Sequence, residues 1–265
     1  MNKVFLLLLA FFMFSCSNSD DTIVIEEEDL DPIEEPTEPK VYKLKEKTFD
    51  YDSEYYLVER KMSYEYGVNG FVSTIDENQY FMNGNEYRFT TNYYYTNNTL
   101  DSIVNKNVYS EVISTTTTIF NHDARGFITD DVKYFNGNLS ETNEYFYSGN
   151  QLEYITRRSR GTDGNLGTPT TQYLIYENGV LVGYESAFPT TRTFDDKNNP
   201  EINLYSPDYK RIARNLFIHN ILTQSSTNSY IKRKYEYEYN SDHFPIKSFN
   251  YEDEKFVFET NYIYY

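Results

Sequence analysis

The chain has 265 residues, a formal charge of −17 and one cysteine, with 29 tyrosines, 19 phenylalanines and no tryptophan. Such acidity excludes nucleic acid as a partner, because phosphate backbones demand clustered Lys and Arg, and it disfavours adsorption of a folded region onto an anionic membrane surface. A single cysteine excludes a disulfide framework, so burial and hydrogen bonding must hold any fold.

The amino terminus decides the compartment. Lys3 precedes an unbroken apolar run, Val4 to Phe14, followed by Ser15 and Cys16. A helix spanning a bilayer needs about 20 apolar residues; this run is shorter and has the proportions of the apolar region of a secretory signal peptide. Residues 1–15 are therefore read as a signal peptide. The segment Met13-Phe14-Ser15-Cys16 resembles the lipobox of bacterial lipoproteins, with Met13 standing where Leu is usual. The resemblance implies that Cys16 becomes the first mature residue and carries a diacylglycerol, which would account for a lone thiol in an exported chain.

Residues 16–40 read as a tether. Ser17 to Lys40 holds ten acidic residues, one lysine and three prolines, Pro32, Pro36 and Pro39. Like charges repel, proline blocks regular pairing, and there is too little apolar surface to offset the entropy of ordering, so this segment is expected to be extended and disordered. Asp20 and Asp21 resemble the acidic export signal that follows the lipid cysteine in surface lipoproteins of the Bacteroidetes; an ordinary acidic linker accounts for them equally well.

Residues 41–265 form the domain. Tyr, Phe and Thr suit pleated, half-buried surfaces, and long helical periodicity is almost absent. Lys234-Tyr235-Glu236-Tyr237-Glu238-Tyr239 alternates ring and charge with the period of a strand. One unit recurs: an aromatic strand, a turn of Asn, Asp or Gly, then a second strand opening on spaced apolar residues. Tyr66 leads to Phe71 and Ile75, Tyr95 to Leu100 and Ile103, Phe120 to Phe127 and Ile128, Tyr147 to Leu152 and Ile155, Tyr176 to Val180, Leu181 and Val182, Phe194 to Pro200 and Ile202, and Tyr239 to Phe244 and Ile246. The first five of these rings are 29, 25, 27 and 29 residues apart. The terminal Tyr262 to Tyr265 reads as the aromatic arm of one more unit, interrupted by the chain end. A period in the twenties with paired strands is a repeat architecture, and Asn-Gly-type turns make each unit a hairpin. The fold expected is all-β: a repetitive antiparallel meander, a long twisted or curled sheet of hairpins.

Phe194-Asp195-Asp196-Lys197-Asn198-Asn199-Pro200 and Tyr235 through Pro245 carry a resemblance to the tyrosine-rich repeats of the RHS/YD class, and a closer one to Bacteroidetes lipoproteins of unknown function that share the repeat. The resemblance covers most of 41–265. It implies a meandering sheet and no particular activity.

One region breaks the pattern. Residues 207–222 lack alternation, follow a proline, and place Ile212, Leu216 and Phe217 near helical spacing. We read a short helix or irregular insert packed on a face or end of the sheet, a cap over apolar sheet in preference to a binding loop.

No catalytic site is assigned. His122, His219 and His243 lack metal-ligand spacing, and no metal or other cofactor is expected. Carboxylates are abundant, yet none is singled out as a glycosidase pair. Gly161-Thr162-Asp163-Gly164 reads as a turn, without the spaced carboxylates of a calcium loop. The reading that results is non-catalytic: an outer-membrane lipoprotein held by the lipid on Cys16, exposed at the cell surface, and serving as a binding or adhesion module for an extracellular glycan, peptide or protein, since tyrosine offers large contact area with a polar tip. The alternative is a structural or assembly lipoprotein facing the periplasm.

Overall fold

The computed structural model describes residues 42–265 apart from 110, 178–179, 186–189, 214–216 and 227–228. The signal peptide, Cys16 and the acidic tether thus lie outside the described residues.

Alternating sequence produces alternating structure. Sixteen strands form one antiparallel sheet: β1 Leu44–Tyr51, β2 Leu57–Tyr66, β3 Val72–Phe81, β4 Glu86–Thr96, β5 Thr99–Tyr109, β6 Val112–His122, β7 Ile128–Phe135, β8 Asn138–Ser148, β9 Gln151–Ser159, β10 Thr170–Glu177, β11 Val180–Tyr184, β12 Thr190–Phe194, β13 Ile221–Ser226, β14 Ser229–Tyr239, β15 Pro245–Glu252 and β16 Lys255–Tyr264. Each strand pairs with its sequence neighbour except across β11 and β12, and β1 pairs with β16. The meander therefore curls into a nearly closed barrel whose seam lies between β11 and β12. The expected curled sheet of hairpins is what forms.

The turns follow from backbone chemistry. Asn97 and Asn98 (φ 50° and 68°) and Asn136 and Gly137 (φ 46° and 78°) make two-residue hairpin turns in the left-handed region. A wider turn recurs at Gly67–Phe71, Asp123–Phe127 and Asn240–Phe244, each closed by an amide-to-carbonyl bond of 2.9 Å. Its fourth residue needs positive φ. Gly70 and Gly126 meet that need freely, whereas His243 adopts φ 64° with a side chain in place.

The repeat has a structural cause that spacing alone conceals. Val72 and Ile75, Leu100 and Ile103, and Leu152 and Ile155 are all buried on one side, although residues three apart point to opposite faces of a regular strand. A β-bulge reconciles them. Tyr66 opposes Val72 while Glu65 opposes Thr74, so Ser73 is extra, and the same one-residue slip adjoins Tyr95, His122, Tyr147, Tyr176, Phe194, Tyr239 and Tyr264. One rim thus carries a ring of bulges, each sharpening the local twist that closure needs. Phenols tie neighbouring hairpins across this ring: Tyr66 donates to the Leu44 carbonyl (2.7 Å), Tyr147 to that of Ile128 (2.9 Å) and Tyr264 to that of Pro245 (2.7 Å).

Three details correct the sequence reading. The ring in the anchor position of the third unit is His122, not Phe120, which lies two residues deeper. The arm expected after Phe194, with Pro200 and Ile202, is no strand: Asn199 accepts the Glu201 amide and Pro200–Asn203 forms a 3-10 turn, because proline supplies no ladder donor. The strand that pairs with β12 is β13, which begins only at Ile221. The final unit is not interrupted, since Tyr264 faces Leu44 and β1 supplies the missing arm. The insert contains the short helix expected, α1 (Pro207–Ile212), and it packs on the inner face of the curled sheet. Leu216 lies outside the described residues.

Candidate functional site

Strand parity sorts the two faces of the barrel wall. Thr91, Tyr93 and Tyr95 on β4 face the insert, and register carries that parity around the sheet to Asn105, Thr118, Lys133, Glu141 and Arg157 on one side and Ile75, Tyr64, Lys47, Tyr262 and Tyr237 on the other. Residues of opposite parity face outward.

The insert between β12 and β13 enters at the bulged rim and plugs the lumen there. Asp195 fixes its start. The carboxylate accepts from the Lys197 and Asn220 amides (3.1 and 3.0 Å), from the Asn220 side chain (3.1 Å) and from the Tyr239 hydroxyl. The bulges hold its middle. The Val72 amide donates to the Leu204 carbonyl (2.7 Å), and the Leu100 amide to Asp208 (2.9 Å), whose same oxygen meets His122 Nε2 at 3.1 Å. Backbone groups released from the ladder by a bulge thus become docking points for the plug. An ion pair from the buried Lys47 to the half-buried Glu201, at 2.6 Å, adds a third anchor. Burial alone would depress the Lys47 ammonium, but Glu201 beside it holds it above the ordinary range; Lys47 in turn keeps the Glu201 carboxyl below its own, against the pull of burial. Apolar packing completes the seating: Leu204 joins Leu44, Tyr64, Val72 and Ile75, while Ile212 joins Leu100, Ile103, Phe120, Ile128, Leu152 and Ile155.

Beneath the plug lies a cleft of about 490 Å³. Its upper wall is Tyr205, Tyr209 and Ile212 of the insert, and its floor is a polar network on β7, β8 and β9. Asp131 accepts from Tyr145 (2.5 Å) and from Asn143 (3.0 Å); Asn143 also donates to Glu141 (3.1 Å), and Glu141 is paired with Lys133 (3.0 Å) and with Arg157. Asp131, Glu141 and Asn143 are all buried. Burial pushes the Asp131 carboxyl above its ordinary value, and the hydrogen bonds from Tyr145 and Asn143 only partly oppose it. For Glu141 burial acts the same way but is outweighed by Lys133, Asn143 and Arg157, so this carboxyl sits low. At the opposite rim the inward-facing Tyr109 and Phe135 are 38% and 48% exposed.

Sequence reasoning missed this network. The signal was a departure from the repeat: the position filled by Ile75, Ile103 and Ile155 in three units is Asp131 in the unit where His122 replaces the anchoring tyrosine. The histidines are not brought together. His122 meets Asp208, His219 Nδ1 lies 3.0 Å from the Lys197 carbonyl, and His243 sits in a turn. Among the described residues no three His, Cys, Asp or Glu side chains are placed to hold a metal. In the Gly161–Gly164 turn Asp163 accepts from the Asn165 amide (3.1 Å), as in an ordinary Asx turn.

The sequence matches no protein-family profile and no curated protein. Solved structures do share the architecture. A porin-like protein from Bacteroides uniformis superposes with a TM-score of 0.52 at 15% identity, over 84% of this chain and 98% of that one. A porin-like protein from Bacteroides vulgatus gives a TM-score of 0.38 at 10% identity, over 85% of this chain and 99% of that one. At such identity the first likeness concerns the fold.

Proposed function

We propose that this chain is a lipid-anchored, water-soluble barrel of the cell envelope, a non-catalytic binding module whose site is the plugged lumen, and not a membrane-spanning pore. The carrying observation is the chemistry of the outer wall. On β14 the outward positions are Lys232, Lys234, Glu236 and Glu238, and β15, β16, β1 and β2 continue with Lys247, Glu259, Asp50 and Lys61. A lipid-embedded barrel needs an outward apolar band about 25 Å tall, and each Lys or Arg at its middle costs about 2–4 kcal/mol. The four charges on β14 alone run along about 20 Å of strand. Among the described residues the insert lies across one rim, with the cleft beneath it. The anchor in this reading is Cys16, and the tether holds the barrel off the membrane at the cell surface. The network favours binding over catalysis, because Glu141 is engaged by both Lys133 and Arg157 and shares the Asn143 amide with Asp131.

The test is detergent phase partition of the wild-type lipoprotein and its Cys16→Ala variant. The wild type should enter the detergent phase and the variant the aqueous phase. A variant that still partitions into detergent, or resists alkaline extraction from membranes, refutes the soluble-barrel reading. Protease treatment of intact cells then separates surface exposure, where the barrel is digested, from a periplasmic position, where it is protected.

A further inference from the structure

We infer that the lumen cleft is a binding site for a neutral, polyhydroxylated ring, a single sugar residue in size and chemistry; this rests on the reading of the lumen as a site. Three features select that class. The first is charge balance. Three carboxylates face the cleft, Asp131, Glu141 and Glu201, and three cations stand around them, Lys133 and Arg157 on Glu141 and Lys47 on Glu201. An ionic ligand would add an uncompensated charge beside the buried Asp131 and Glu141, which is costly; a neutral one adds none.

The second is the mixture of donors and acceptors on the floor. Asp131 and Glu141 accept, Lys133 and the Asn143 amide donate, and the Tyr145 hydroxyl does both. A hydroxyl is itself donor and acceptor, so a ring bearing several can satisfy both kinds of partner at once. A purely apolar ligand could use none of the donor and acceptor capacity that the network leaves over. The third is the opposite wall. Tyr209 and Ile212 of the insert present apolar surface across from the polar floor, and Phe120, the cross-strand neighbour of Asp131, continues it along the wall; Tyr209 is edge-on to Phe120 at 6.0 Å between ring centres, and Ile212 packs in the same cluster. A sugar ring has the same division, with a face of C–H groups and an edge of hydroxyls. The volume, about 490 Å³, lies within the usual range for small-molecule sites, roughly 300–1,000 Å³.

The test is titration calorimetry on the intact lipoprotein in a detergent without a sugar headgroup. Glucose, galactose, mannose and N-acetylglucosamine serve as neutral probes, with glucosamine and glucuronate as charged analogues. At least one neutral sugar should bind saturably at one site per chain, and the charged analogues at least tenfold more weakly. Asn143→Ala should raise the dissociation constant at least tenfold. Asn105→Trp fills the cleft from a wall position outside the Asp131–Glu141 network and should abolish binding while leaving the thermal transition in place. Failure of every neutral sugar to bind the folded protein overturns the proposal, as does binding that survives Asn105→Trp. A preference for a charged analogue lost on Asn105→Trp rejects the ligand class and leaves the lumen as a site. Phase partition of the Cys16→Ala variant is independent of all these outcomes.

Discussion

Replacing Asp208 with alanine tests whether the plug is held by the bulged rim. The carboxylate is buried and accepts from Leu100, whose residue is fully buried, at 2.9 Å, and the same oxygen meets His122 at 3.1 Å. Alanine leaves the Leu100 amide without an acceptor in a place water does not reach, at about 1–3 kcal/mol, and forfeits the His122 contact, at about 0.5–1.5 kcal/mol. The expected loss is about 2–4 kcal/mol, which for a domain of this size lowers Tm by roughly 5–15 °C. Asp208→Asn keeps an oxygen for the amide and should lose about half as much. Thermal unfolding followed by circular dichroism measures the first quantity. Hydrogen exchange at the Leu100 amide locates it, because protection there should fall in the alanine variant before that of β14 and β15 changes. A Tm shift under about 2 °C together with an unchanged Leu100 amide would refute the docking argument.

The phenol ladder makes a differential prediction. Tyr66→Phe, Tyr147→Phe and Tyr264→Phe each remove a bond to a neighbouring hairpin and should each cost about 1 kcal/mol in denaturant unfolding, whereas Tyr95→Phe, whose buried hydroxyl has no partner, should be neutral or stabilising. Equal losses at all four positions would remove the ladder as an explanation. Two carboxyls should make opposite contributions to acid stability. Glu201 lies below its ordinary value of 4.5, so its contribution is present above that pH and is lost as pH falls through its folded pKa; Glu201→Gln should flatten the acid limb of the stability curve. Asp131 lies above its ordinary value of 3.8, so its contribution is present below that pH and is lost as pH rises through the folded pKa; the stability of Asp131→Asn relative to wild type should therefore improve with rising pH across that interval. Parallel curves for either variant and the wild type would contradict the corresponding assignment.

Much of the barrel could be read from the chain because its information is local. Alternation in Lys234 to Tyr239, the Asn-Gly and Asn-Asn turns, and rings every 25–29 residues specify strands, hairpins and a meander without reference to distant residues. The insert announced itself by breaking that alternation. The lipid-anchor reading of Cys16 likewise comes from the sequence alone. Closure did not show, because the pairing of Leu44 with Tyr264 joins residues 220 apart and depends on twist accumulated over sixteen strands. Nor did the side taken by each polar residue. Leu-x-x-Ile looks like a lapse of alternation until a bulge places both residues inside, and by the same slip Asp131 lies in the lumen while Asp130 beside it lies outside. A one-residue change of register exchanges the faces, so the sequence determined which units form and where they repeat. Only the curled sheet decided which of the many carboxylates are buried under the plug and which meet water.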